Sequence, residues 1–482
     1  MTRHFITTTI PYVNAAPHLG HALEAVQADV LARHARHTGD EVRLLSGTDD
    51  NSLKNVLAAE AAALDVQTFV TAYADRFADL ATALSVRYDD FIRTSTDPRH
   101  RPGVEDLWRA CADDLYPGHY EGLYCVGCEA YLSEDELDAL GHCPEHRQPP
   151  QRISEHNWFF RLSRYADPIR DAIESGRLRI EPAGRRNEVL GFLAGGVHDI
   201  SVSRDAHRAH GWGIPVPGDP DQVIYVWFDA LGNYVNSLRD GDDHDRWWTG
   251  ADRRVHLLGK GVLRFHAVYW PAILLAAGLD LPTDLLVHDY LSVDGQKISK
   301  SAGTAVSPLS YVEAYGVDAL RWWLLRDVAR IGDTDVTGAK VAARAREDLV
   351  GGFGNVVNRV VTLIHRSRAG LVPQPGADPD AKALLAACTD TPVRISDALA
   401  VADFRTATAA LRGIVEEANR YIEATAPWTL TGRRQEIVLA HLLSGCRTLA
   451  VELEPFLPDA AARIAAQCTP IDGRLPVPAK VF

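Results

Sequence analysis

Apolar and polar positions change period several times along the chain. Phe5-Ile6-Thr7-Thr8-Thr9-Ile10 is rich in β-branched residues and predicts a strand. Residues 11–17 read as a loop. From Leu19 to His37 the apolar positions Leu19, Leu23, Val26, Val30 and Leu31 recur at helical spacing, and Gly39-Asp40 stops the helix. Val42-Arg43-Leu44-Leu45 predicts a second strand. Strand, helix and strand in this order form a βαβ unit, which calls for a parallel sheet. Residues 54–115 read as helical and 120–150 as short strands. Further strand-like runs lie at 221–228, 256–258 and 285–288. From about residue 341 the pattern is purely helical, with apolar stripes through 350–366, 380–400, 404–424 and 434–454. Proline-rich breaks at 373–379 and at Pro427 separate them. The pattern predicts an α/β class chain: a Rossmann-like parallel-sheet domain interrupted by an insertion, then an all-α bundle.

Composition narrows the setting. Apolar residues are 46% and charged residues 24%, the balance of a soluble globular protein. No apolar run approaches the ~20 residues that span a bilayer, and the N-terminus has no signal-peptide shape. A cytoplasmic protein with no membrane partner is expected. The net charge of −14 argues against a general DNA or RNA coat, because phosphate binding relies on Lys and Arg. A structured RNA held by a local basic face remains compatible with it.

The cysteines divide into two groups. Cys111, Cys388, Cys446 and Cys468 lie far apart in sequence, and nothing points to a disulfide framework. Cys125-Val126-Gly127-Cys128 is followed by Cys143-Pro144-Glu145-His146. C-x2-C and then C-x2-H supplies three thiolates and an imidazole, a set suited to tetrahedral Zn²⁺. Four protein ligands close the coordination sphere, so one structural zinc per chain is expected. A C-x2-C alone could serve redox chemistry; the second pair argues against that.

Two motifs carry candidate chemistry. His18-Leu19-Gly20-His21 stands where the first strand leads into the first helix. A helix N-terminus offers free N–H groups to phosphates, Gly20 permits close backbone approach, and His18 and His21 can donate to an α-phosphate in its transition state. Taken alone, the histidines could simply cap the helix. About 280 residues later comes Lys297-Ile298-Ser299-Lys300-Ser301. Alone this is a solvated loop; beside a triphosphate its lysines would neutralise charge as pyrophosphate leaves. Together and in this order, the two motifs resemble the HIGH and KMSKS signatures of class I aminoacyl-tRNA synthetases.

Within that class the chain resembles methionyl-tRNA synthetases over nearly its whole length. The resemblance rests on Ile10-Pro11-Tyr12-Val13-Asn14, on Tyr225-Val226-Trp227-Phe228-Asp229-Ala230-Leu231-Gly232-Asn233-Tyr234, and on Gly259-Lys260, Phe265-His266 and Trp270-Pro271-Ala272. It implies that Ile10, Tyr12, Trp227, Ala230, Tyr234 and His266 line a methionine pocket and that Asp49 holds the α-ammonium. A thioether packs well against aromatic rings, and a carboxylate suits an ammonium. Core packing for Trp227 and Tyr234, and a helix cap before Leu53 for Asp49, are the plainer alternatives. His18, His21, Lys297 and Lys300 would be catalytic, with Gly20 and Ser299 also at the ATP site, where Mg²⁺ accompanies the nucleotide. One departure is the loop Gly47-Thr48-Asp49-Asp50-Asn51-Ser52, where the family usually has G-T-D-E-H-G. Asn51 replaces a histidine and Ser52 a glycine.

The resemblance also implies an anticodon-reading bundle in which Trp428 of Ala426-Pro427-Trp428 stacks on a base and Arg366 reads another. The family's asparagine falls at Thr362 here. Packing of Trp428 between helices is the alternative. The resemblance divides the chain into 1–115 and 206–285 as halves of the catalytic domain, 116–205 as the insertion, 286–345 as the KISKS loop and stem-contact region, and 346–482 as the anticodon-binding domain. The chain ends about fifty residues after Trp428, which leaves out the extra dimerising domain of some members and implies a monomer. The activity implied is that of a methionine–tRNA ligase using ATP, methionine and tRNA(Met). A paralogous ligase passing the acyl group to a non-tRNA acceptor is the alternative.

Overall fold

The computed structural model describes residues 1–132, 134–144, 147–293, 295–297 and 306–482, with backbone alone at Ala130, Tyr131, Gln296 and Lys297. The chain forms two units. The first comprises Met1–Pro17, Gly39–Ala81 and Arg87–His288; the second comprises His18–Thr38, Thr82–Val86 and Asp289–Phe482.

A six-stranded, wholly parallel sheet organises the first unit. Its order is Asp90–Arg93, Glu41–Thr48, Arg3–Thr7, Arg253–Gly259, Asp284–His288, Arg179–Glu181. The chain runs outward from Arg3–Thr7 in one direction and later resumes beside it with Arg253–Gly259. That reversal is the doubly wound switch point, where α/β folds bind ligands beyond the carboxyl ends of their strands. Phe5, Leu45, Leu258 and Leu285 are fully buried and pack with Trp248, Trp270 and Phe228 in one core.

Three local expectations change. Residues 54–115 contain a strand, Asp90–Arg93, among their helices. The run at 221–228 is not one strand: Asp219–Ile224 is extended and pairs with Ser203–Asp205, but the chain turns helical at Val226–Leu231 and Asn233–Asn236. The stretch 120–150 belongs to a long hairpin. Leu115–Cys125 pairs antiparallel with Gln151–Phe160, and Cys125 ends the first arm. The segment 116–205 also supplies Arg179–Glu181 to the main sheet.

The second unit contains the first helix, Leu19–His37, with the helices Pro308–Tyr315, Val317–Arg326, Asn355–Arg368, Lys382–Leu399, Phe404–Thr425, Gly432–Leu453 and Pro458–Cys468. Arg321 is fully enclosed there, as is its partner Asp29. It donates to Asp29 Oδ2 at 2.8 Å, Leu84 O at 2.9 Å and Phe456 O at 2.9 Å. One guanidinium thus ties the first helix to the end of the bundle. Helix packing also brings Cys446 into hydrogen-bonding contact with Cys468, although 22 residues separate them; both thiols are free and buried. The helix Phe404–Thr425 ends at Ala426, held at φ 42°, ψ 60°, so the chain bends just before Pro427-Trp428. Among the described residues, no helix is long and apolar enough to cross a membrane.

Candidate active site

In the first unit the residues after two neighbouring strands run side by side. Tyr12 pairs in parallel with Asp49, and Asp49 N donates to Pro11 O at 2.9 Å. Asp49 is 2% exposed. Burial, with Asp229, Glu129 and Asp50 nearby, raises its carboxyl well above the usual range. Asp49 does not cap the next helix: Ser52 does, accepting from Lys54 N at 3.1 Å. Serine in place of the family's glycine therefore has a structural use.

Aromatic residues cluster next to it. Trp227 stacks on Phe265 with centroids 3.7 Å apart and meets Tyr12 edge-on at 6.2 Å. Trp227 and Ile10 are partly buried against the main core, Tyr234 is buried within it, and Ala230 is buried. His266 lies in a π-helical turn, Phe265–Tyr269, a distortion frequent at functional positions. Its Nε2 accepts from Tyr234 Oη at 2.8 Å and its Nδ1 donates to Val262 O at 2.9 Å. Behind it stands His256, which the sequence reading missed. Trp270 Nε1 donates to His256 Nε2 at 3.2 Å, so the proton sits on Nδ1, facing Thr7 Oγ1 at 2.7 Å. Burial holds this imidazole neutral, well below its ordinary range. Tyr12 Oη and Trp227 Nε1 are buried and, among the described residues, have no hydrogen-bond partner. Orphaned buried polar atoms are costly and call for an explanation; together with an unneutralised carboxylate they suit a small ligand with a cationic group.

The nucleotide motif lies in the second unit. His18 caps the first helix: its Nδ1 accepts from Gly20 N at 3.1 Å, while His18 N donates to His21 Nδ1 at 3.0 Å. The two rings stack at 3.8 Å. Capping is therefore real, and it also sets the chemistry. With Nδ1 accepting, each neutral imidazole carries its proton on Nε2 as a donor. Gly20 is required by the cap itself, since a Cβ there would meet His18 Cε1 at 2.9 Å. Ser299 and Lys300 lie outside the described residues, as does the side chain of Lys297.

At the tip of the hairpin, one ligand atom from each of Cys125, Cys128 and Cys143 lies within 4.8 Å of the others, and Cys128 Sγ is 3.5 Å from Cys143 Sγ. Zn–S bonds of about 2.3 Å in a tetrahedron place sulfurs nearly 4 Å apart, so the three fit one ion. Hydrogen bonding to Cys125 and burial push the Cys128 thiol up, a crowding that a cation relieves. His146 lies outside the described residues.

In the bundle Trp428 is 54% exposed, so it does not pack between helices. Arg359 lies over its ring at 5.3 Å. Arg366 is exposed on the same helix, and Thr362 Oγ1 donates to Asn358 Oδ1 at 3.1 Å.

Comparison with known proteins places this geometry. Residues 4–153 and 147–361 match the family described as tRNA synthetases class I (M), and residues 372–480 match the anticodon binding domain of methionyl tRNA ligase. The chain belongs to the methionyl class I tRNA synthetases. Methionine–tRNA ligases of the family from Brucella suis and Synechocystis are 37% and 38% identical to it. The alignments cover 96% of this chain and 91% and 88% of theirs. The family member of Mycobacterium tuberculosis, solved with methionyl-adenylate, superimposes with a TM-score of 0.94 at 33% identity over all of both chains. Its ligand-free structure gives 0.86 at 31% identity.

Proposed function

We propose that this chain is a methionine–tRNA ligase: it activates methionine with ATP to methionyl-adenylate and transfers the methionyl group to the 3′ end of tRNA(Met). The observation that carries the amino-acid half is the buried carboxylate of Asp49 beside the orphaned Tyr12 Oη and Trp227 Nε1. In this reading Asp49 takes the α-ammonium, and Ile10, Tyr12, Trp227, Ala230, Tyr234 and His266 form the side-chain pocket. His266 acts through its ring, because both nitrogens are engaged within the fold. The methionine carboxylate attacks the α-phosphorus of ATP. Negative charge builds on the α-phosphate oxygens as the bond to pyrophosphate breaks, and the Nε2–H groups of His18 and His21 donate to them. Lys297 and Lys300 offset charge on the leaving pyrophosphate, with Ser299 nearby and Mg²⁺ bound to the nucleotide. A terminal ribose hydroxyl of the tRNA then attacks the adenylate carbonyl and AMP departs. Positioning and charge stabilisation supply the catalysis.

The reading includes one structural zinc on Cys125, Cys128, Cys143 and His146. Metal analysis is expected to give one zinc per chain. Cys128→Ala is expected to loosen the hairpin tip, seen as faster proteolysis within 115–160, since a closed site supports folding. Metal-free protein with an equally resistant hairpin and full activity would remove the zinc.

Trp428, Arg359 and Arg366 offer a stacking platform and two guanidiniums for anticodon bases, a platform worth about 1–3 kcal/mol per base. The test of the whole reading is pyrophosphate exchange with each of the twenty amino acids, then charging of tRNA(Met) beside a tRNA with a changed anticodon. Exchange is expected with methionine, and charging of tRNA(Met) alone. Trp428→Ala is expected to lower charging about tenfold or more at unchanged exchange. Adenylate formation without transfer to tRNA would favour a different acceptor. Equal charging of both tRNAs would remove the anticodon role.

A further inference from the structure

Asp229 is a buried carboxylate of the amino-acid cluster to which the proposed mechanism gives no role. Four buried carboxylates stand there: Asp49, Asp50, Glu129 and Asp229. Asp50 faces Arg93 Nε at 3.5 Å and accepts from Ser95 Oγ at 2.7 Å; Glu129 accepts only from a backbone N–H, Lys54 N at 3.1 Å, and its Oε2 has no partner among the described residues. Among the described residues, neither Asp49 nor Asp229 has a lysine or arginine within 4 Å. Asp229 is 1% exposed and has two side-chain partners. Asn51 Nδ2 donates to Oδ2 at 2.8 Å, and His100 Nε2 faces Oδ1. His100 is fully buried, with its Nδ1 facing Asn236 Nδ2 at 3.5 Å. The His100 ring therefore stands between Asn236 and Asp229. The backbone N–H of Asn51 meanwhile donates to Asp49 Oδ1 at 3.3 Å. A single asparagine therefore spans both carboxylates, one with its main chain and one with its side chain.

Two buried carboxylates bridged by one asparagine, with no lysine or arginine within 4 Å of either, make a site suited to a further cation. A substrate ammonium meets that requirement. We propose that Asp229 is a positioning residue for the α-ammonium of methionine, a second carboxylate behind Asp49 that Asn51 and His100 hold in place. Asn51, where the family usually has histidine, is the element that joins the two carboxylates in this chain. The inference rests on Asp49 as the ammonium ligand.

The test separates charge from folding by changing the ligand as well as the protein. Full-length wild type, Asp229→Asn, Asn51→Ala, Asn51→His and Asp49→Asn are compared for methionine KM and kcat in pyrophosphate exchange. Each is also assayed for inhibition by 4-(methylsulfanyl)butanoate, which is methionine without its amine. Asp229→Asn is expected to raise the methionine KM at least about tenfold with a much smaller change in kcat, and to leave inhibition by the amine-free acid equal or tighter. Asn51→Ala should move both quantities the same way by less, and Asn51→His, which retains a donor, should recover most of the loss. Equal weakening of both ligands by Asp229→Asn would reduce Asp229 to a structural role and overturn the inference. So would unchanged methionine KM in that variant while Asp49→Asn loses methionine. If Asp49→Asn itself keeps wild-type KM, the assignment of Asp49 falls, and this inference with it.

Discussion

His21→Ala is expected to slow methionine-dependent pyrophosphate exchange by about 10²–10³-fold, the usual loss when one donor to a developing anionic charge is removed. The dissociation constant of methionine should stay within about twofold, because the ring acts mainly in the transition state. Alanine also removes the acceptor that His21 Nδ1 offers to His18 N, so a second variant isolates the donor. In His21→Asn the side-chain oxygen can still close the capping box, but nothing replaces Nε2–H. Its exchange should stay as slow as that of alanine, while its melting temperature returns toward wild type. In His21→Gln the amide can reach the position of Nε2 and should recover part of the rate. Wild-type exchange in either the alanine or the asparagine variant would remove His21 from the chemistry.

Arg321→Met is expected to destabilise the second unit by about 3–5 kcal/mol, the cost of breaking a buried ion pair from one side. The lost guanidinium serves Asp29, Leu84 O and Phe456 O with no exposure to water. Asp29 retains Arg33 Nε at 2.8 Å but loses its enclosed partner. Urea unfolding of the variant, followed by tryptophan fluorescence, should show an early transition from the second unit. Asp29→Leu combined with Arg321→Met should cost less than the two changes summed, since each alone strands a buried polar group. A midpoint within error of wild type would mean that water reaches the site and screens the pair.

The sequence patterns that proved readable were local ones. The strand–helix–strand start, the helices of the bundle and the spacing of the three clustered cysteines are each set by short windows, where period and spacing carry the signal. The run at 221–228 misled because Val, Trp and Phe are buried in a strand or a helix alike; extended structure ends at Ile224 and Trp227 rides on a helical turn. The strand Asp90–Arg93 escaped notice because it is four residues long, charged at both ends, and lies at the sheet edge. The residues proposed for the methionine pocket were named by resemblance, but their hydrogen-bonding state was not legible. That His266 spends both nitrogens within the fold, that His256 is neutral, and that Asn51 joins Asp49 to Asp229 depend on partners far along the chain. Arg321 gave no sign of being buried, since a charged residue in an amphipathic stretch is ordinarily assigned to the solvent side.

The bend at Ala426 gives the bundle a particular kind of aim. A left-handed backbone costs an alanine about 1 kcal/mol relative to glycine, and here that strain sits two residues before the exposed Trp428. The joint works like a stiff wrist. The limited backbone freedom of alanine, the fixed φ of Pro427 and the guanidinium of Arg359 against the ring all narrow the directions the indole can face before any base arrives. Glycine at 426 would relax the joint and raise the melting temperature, but it would return to the free protein a freedom that binding must then remove. If Trp428 stacks on a base as proposed, selection for heat resistance and selection for tight tRNA binding would pull this position in opposite directions.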